Sequence, residues 1–332
     1  MADEPTRFHD SLGHDVRSDP WLGQGRSSYV LALDSLRAGR LDDAVALASL
    51  TVQEAQEAFD LYALWLVQLP DLLADRGVPP QALDPTRRAA AVTKQQLEAG
   101  WTSYLSLVEG FETAARTRSV TAAAGVLESA RTTWLAAHDP ATDCLAGLLA
   151  LASQHLGEAS VGDLWDAMLS HYYDGIAAKY DPETRPWPDS LDQLGMDIFE
   201  AVRGHLSGPD RDGRFSISED ENRWVLQFAP CGSGGRTYPG AEAADRDPDE
   251  FTSDEHDWAW QTKGVCLYCV HCCQLQQRAP IERIGIPLRV IEPPVRASSD
   301  HPGKAVCTWS IYKDVSKIPA HAWTDVGATP PR

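Results

Sequence analysis

The hydrophobic period of this chain changes once, near Gly208, and that change limits what the chain can fold into. From Ser28 to Leu206 apolar residues recur at helical spacing. Ala44, Leu47, Ala48, Val52 and Ala55, separated by steps of three and four, make one buried helix face. Further helices are predicted over about 85–118, 120–137, from Asp139-Pro140 onward, over 161–180 and over about 190–206. Past Gly208 the period drops to two. Arg214–Ser218 and Arg223–Phe228 alternate around a polar Glu219-Asp220-Glu221-Asn222, which predicts a β-hairpin. Leu288–Ile291 and Val306–Tyr312 read as further strands.

The expected fold class is therefore α+β. A flexible arm (residues 1–27) leads into a helical bundle (28–207). A small β-rich, cysteine- and metal-binding domain follows (208–332).

Charge narrows the partners. A net charge of −19 and a pI near 4.8, with no Lys/Arg-rich run, argue against nucleic acid, whose affinity comes largely from basic contacts to phosphate. The same field opposes anionic membranes, and no stretch approaches the ~20 apolar residues of a membrane span. The acidic start, Met1-Ala2-Asp3-Glu4-Pro5, does not read as a secretory signal, so the expected compartment is the cytoplasm. Abundant Ala, Arg and Asp with little Lys point to a bacterial, GC-rich genome.

In a reducing compartment, clustered cysteines read first as metal ligands. Cys266-Leu267-Tyr268-Cys269-Val270-His271-Cys272-Cys273 contains Cys-x-x-Cys twice, sharing Cys269. That spacing lets a tight turn aim two thiolates at one ion, and zinc needs four ligands. Cys231 is the remote candidate. The expected set is Cys231, Cys266, Cys269 and Cys272, with His271 replacing Cys266 in a Cys3His variant. Three such cysteines plus a remote fourth also match the ligand economy of a [4Fe–4S] cluster, although Pro230 precedes Cys231 instead of following it. Cys144 and Cys307 read as packing residues.

Around the cysteines lie groups capable of chemistry. Gly232-Ser233-Gly234-Gly235 can form either an anion- or cofactor-binding nest or simply a tight turn that delivers Cys231. Arg236 can clamp an anion, His256 sits among carboxylates as an acid–base candidate, and Glu282 can serve as base or orienter. His171 and Asp174 share a helix face, and His171 reads as a packed or surface histidine. The acidic stretch 241–257 reads as a solvated loop.

Three functions fit these features. The first is a zinc enzyme, a metal-dependent hydrolase or lyase, acting on a small anionic or amide-bearing metabolite. The second is a zinc-stabilised interaction module whose helical half docks a protein partner. The third is an iron–sulfur or dithiol redox protein.

Overall fold

A computed structural model of the chain describes residues 4–117, 119–238, 246–298 and 303–331. It is mixed helix and sheet, with a long helical region before small sheet elements. A hairpin, β1 (Thr6–His9) and β2 (His14–Arg17), precedes α1 (Ser28–Arg37), α2 (Leu41–Asp75), α3 (Pro80–Thr117), α4 (Val120–Leu156), α5 (Ser160–Tyr180) and α6 (Trp187–Gly204). Then come β3 (Ser216–Glu219) and β4 (Arg223–Phe228). The cysteine segment enters α7 (Val270–Cys273), a π turn (Gln274–Arg278) and α8 (Ala279–Ile284). β5 (Val290–Glu292), β6 (Cys307–Tyr312) and α9 (His321–Thr324) complete the chain. The sheet is antiparallel in the order β3-β4-β6-β5.

Local chemistry sets the main helix starts. Ser27 and Ser119 accept from the backbone N–H of Val30 and Ala122, satisfying donors that α1 and α4 would otherwise leave open. Gly39 turns between α1 and α2 at φ +76°, a conformation that favours glycine. Pro140 was expected to begin a new helix, but α4 runs through it. Burial of His138, Ala141, Thr142 and Leu145 on both sides of the proline outweighs its missing N–H.

The described part of the expected loose arm is folded and docked. Trp21 stacks on Trp224 with ring centroids 4.0 Å apart and meets Phe199 edge-on at 5.0 Å. Arg17 is buried and donates to Asp19 and to the carbonyls of Gly23 and Arg26. One apolar core runs from the helices into the cysteine segment and β6, so the expected boundary near Gly208 does not divide the packing.

The buried pair Arg203–Glu54 ties α6 to α2 at 2.5 Å. Arg203 also donates to Gln24, and Ser28 donates to Glu54 at 2.6 Å. Replacing Arg203 by Met strands a buried carboxylate. We expect a loss of about 3–5 kcal/mol in urea unfolding, with much of it recovered in R203M/E54L. A loss below about 1 kcal/mol for R203M would show that the pair is not what joins these helices.

Candidate functional site

Two buried hydrogen bonds fasten the cysteine segment and the turn after it to α5. Trp165 on α5 donates to the Leu267 carbonyl at 2.9 Å, and Gln274 donates to the Gly162 carbonyl at 3.2 Å. The thiols gather around Cys269. Cys266 is its hydrogen-bond partner, and Cys231 and Cys272 lie within electrostatic range. Hydrogen bonding from Cys269, outweighing burial and aided by the N–H groups of Cys269 and Tyr268, holds the Cys266 thiol below its usual range. Burial raises Cys272 to about 11, and it raises Cys273 as well. Cys273 points elsewhere, toward the Asp257 carbonyl. Cys231 pairs with Ser233 at 3.4 Å, and Cys272 with His271 Nε2 at 3.3 Å. Among the described residues, no three His, Cys, Asp or Glu side chains form a group that could hold a metal ion.

Cys307, read from sequence as packing, lies in electrostatic range of Cys231 and Cys272. Strand register brings it there: Cys307 pairs with Phe228, three residues before Cys231. The glycines of the 232–235 turn face protein. A Cβ on Gly232 would strike the His205 carbonyl, one on Gly234 the Cys269 sulfur, and one on Gly235 Cys231 itself. Their geometry serves close packing of the turn against the thiols, the second of the two readings of this turn.

Behind the cysteines lies a buried polar network that sequence reasoning missed. The Tyr62 hydroxyl meets Tyr268 Oη at 2.8 Å, His205 Nδ1 at 3.1 Å and His138 Nε2 at 3.2 Å, and it accepts from Thr142 at 3.0 Å. His138 Nε2 and His205 Nδ1 are 2.9 Å apart. His138 Nδ1 faces Asp139 at 2.8 Å, and Arg211 caps Asp139 at 2.9 Å. Burial acts to raise Asp139, but hydrogen bonds from His138 and Arg211 outweigh it and hold the carboxyl low. An ionised Asp139 assigns the His138 proton to Nδ1. Burial depresses both histidines, so they stay neutral.

One concavity, of about 540 Å³, is lined by α2, α5, α6, His14, the π turn and Leu288-Arg289. Pro280 explains one wall. It has no N–H for the carbonyl four residues back, and that carbonyl, of Gln276, accepts from the N–H groups of Leu288 and Arg289 at 3.1 and 3.4 Å. The turn thereby fixes Arg289. Arg289 is 6% exposed, and its guanidinium carbon lies 3.8 Å from the centroid of the Trp309 ring. Its Nε is buried with no acceptor, and nothing among the described residues accepts from the guanidinium. Burial lowers it to about 10, against the pull of Cys272, Cys307, Glu57 and Tyr180. Arg289 therefore stands between the cavity and the thiols.

Two carboxyls of this cavity are set near neutrality. Burial raises Glu200 to about 7, although His14 Nε2 sits 3.0 Å away and Arg203 lies nearby. Glu57 is open to the cavity, yet the surrounding protein desolvates it and, with Asp197, raises it to about 6. Carboxyls shifted this way inside a concavity are candidates for proton transfer.

The expected catalytic residues lie apart from this cavity. Arg236 is bound to Asp143 and the Asp139 carbonyl, and Arg246 shares Asp143. His256 stacks on Trp258 and pairs with Glu158 at 2.7 Å, and Glu282 pairs with Arg278 at 3.1 Å on the surface. Among the described residues, the three do not contact one another. His171 does line the cavity. Of the acidic stretch, Glu242 and Asp245 lie outside the described residues, while Asp247 and Asp249 dock on Gln154. No helix of the described residues is long and apolar enough to cross a membrane. Comparison with protein families, curated proteins and solved structures finds no match to this chain.

Proposed function

We propose that the chain is an enzyme that binds a small anionic or amide-bearing metabolite in the 540 Å³ cavity. Arg289 holds the anionic end, and Glu200, paired with His14, moves a proton. We also propose that Cys231, Cys266, Cys269 and Cys272 take one zinc ion that braces the Arg289 wall from behind. The observation that carries the enzyme reading is Arg289. A buried guanidinium without an acceptor costs free energy unless something completes it, and a planar carboxylate or phosphate completes it in two parallel hydrogen bonds. The zinc reading rests on three thiols, of Cys231, Cys266 and Cys272, gathered around that of Cys269.

Small carboxylates and inorganic phosphate, added to the full chain, test the enzyme reading by thermal shift and calorimetry. A ligand at a hundred times its Kd adds about 2.7 kcal/mol, which raises Tm by several degrees. Arg289→Lys keeps the charge but loses the fork, and should weaken binding at least about tenfold. Glu200→Gln should retain binding and remove a carboxyl titration near pH 7 from the 13C NMR spectrum. Absence of stabilisation by any anion, or full binding in R289K, would refute the reading.

A further inference from the structure

The cavity carries more negative charge than an anion binder needs. Apart from Glu54, which Arg203 neutralises, its walls hold Glu57, Asp60, Asp197 and Glu200. Most of these have partners. Asp197 accepts from Tyr180 at 2.5 Å and faces Lys179 at 3.7 Å, Glu200 holds His14, and Asp60 accepts from Gln56 at 3.0 Å. Among the described residues, none hydrogen-bonds the Glu57 carboxyl. It lies within electrostatic range of Asp197 and Asp60, the latter one turn further along α2, and of two cations, Lys179, which already faces Asp197, and Arg289. The cavity thus presents an unfilled cation and an unfilled anion within reach of each other.

We infer that the substrate is a zwitterion of the amino-acid class, its carboxylate forked on Arg289 and its ammonium held by Glu57 and Asp60. This inference rests on the cavity reading above and goes one step beyond it. A plain anion would leave Glu57 facing an unsatisfied carboxylate of its own sign, and a plain amine would leave Arg289 bare. Only a ligand carrying both charges completes both walls. The cavity volume also accommodates a side chain beyond the two charged groups.

The test uses the full chain and matched ligands. The twenty protein amino acids, β-alanine and 4-aminobutyrate are screened by thermal shift. Each binder is then compared in calorimetry with its hydroxy acid and its decarboxylated amine. The expected result is that the hydroxy acid and the amine each bind at least tenfold more weakly than the amino acid. E57Q should cost the amino acid at least tenfold and leave the hydroxy acid unchanged. R289K should weaken amino acid and hydroxy acid alike. Hydroxy acids that match the amino acids in wild type, with E57Q silent, would overturn the zwitterion while leaving anion binding at Arg289 standing. No binding by any compound, anions included, would overturn both.

Discussion

Anaerobically purified protein is expected to carry about one equivalent of zinc. Changing Cys231, Cys266, Cys269 and Cys272 to serine should remove it together with more than about 5 kcal/mol of stability. Structural zinc contributes roughly 10–16 kcal/mol in small domains that cannot fold without it. Here the helices supply a core of their own, so the loss should be smaller and should concentrate around residues 231–290. Hydrogen exchange should show that region opening first, because its packing runs through the thiols and through the glycine contacts at Cys231 and Cys269. In the present geometry Cys231 and Cys272 turn toward Ser233 and His271. Cys273→Ser and Cys144→Ser are internal controls and should leave the metal content intact. Brown protein bearing iron and sulfide would replace zinc with a cluster on the same thiols. Unchanged metal content in the quadruple variant, or none in the wild type, would remove the cysteine proposal and leave the cavity proposal to its own test.

The sequence and the structure agree where the signal is local. Helical spacing located α2 and α5, and alternation located β4 and β6 within a residue or two. The Cys-x-x-Cys spacing brought Cys266 and Cys269 to the cluster centre because a single turn suffices to join them. Cys307 is a buried strand residue, as its pattern predicts, but its nearness to Cys231 and Cys272 depends on the β4–β6 register, which no short window contains. The cavity was invisible for the same reason. His14, Glu57, Glu200 and Arg289 come from four distant segments, and each alone looks like a solvated charge. One local signal did exist: Arg289 interrupts the apolar run Ile286–Ile291, and a charge in such a run demands a partner. Arg236 as anion clamp, His256 among carboxylates and Glu282 beside the cysteines are each legible in sequence as candidates. The fold instead pairs Arg236 with Asp143, His256 with Glu158 and Glu282 with Arg278.

Acid should destabilise this protein through the histidines behind the cysteine cluster, and His138→Gln should change both the stability and its pH dependence. His138 and His205 are neutral in the fold and ordinary in the unfolded chain. Below about pH 6.5 the unfolded state binds protons that the native state refuses, so stability falls as pH falls, by up to about 1.4 kcal/mol per pH unit for each proton. Asp139, held low, adds a second loss below about pH 4. Glu57 and Glu200 work in the opposite direction. With folded values of about 6 and 7, they hold protons in the native state that the unfolded state has released, and they soften the acid limb between about pH 4.5 and 7. Two comparisons separate these contributions. E57Q/E200Q should steepen the loss of Tm between pH 7 and pH 5, because the opposing carboxyls are gone. H138Q should flatten it, because one proton-refusing group is gone. At neutral pH H138Q should also cost about 2–4 kcal/mol, since Tyr62, His205 and Asp139 each lose a buried partner. Parallel pH curves for H138Q and wild type would mean that His138 accepts a proton in the folded state. The ionised Asp139 beside it would then be pairing an imidazolium rather than orienting a neutral ring.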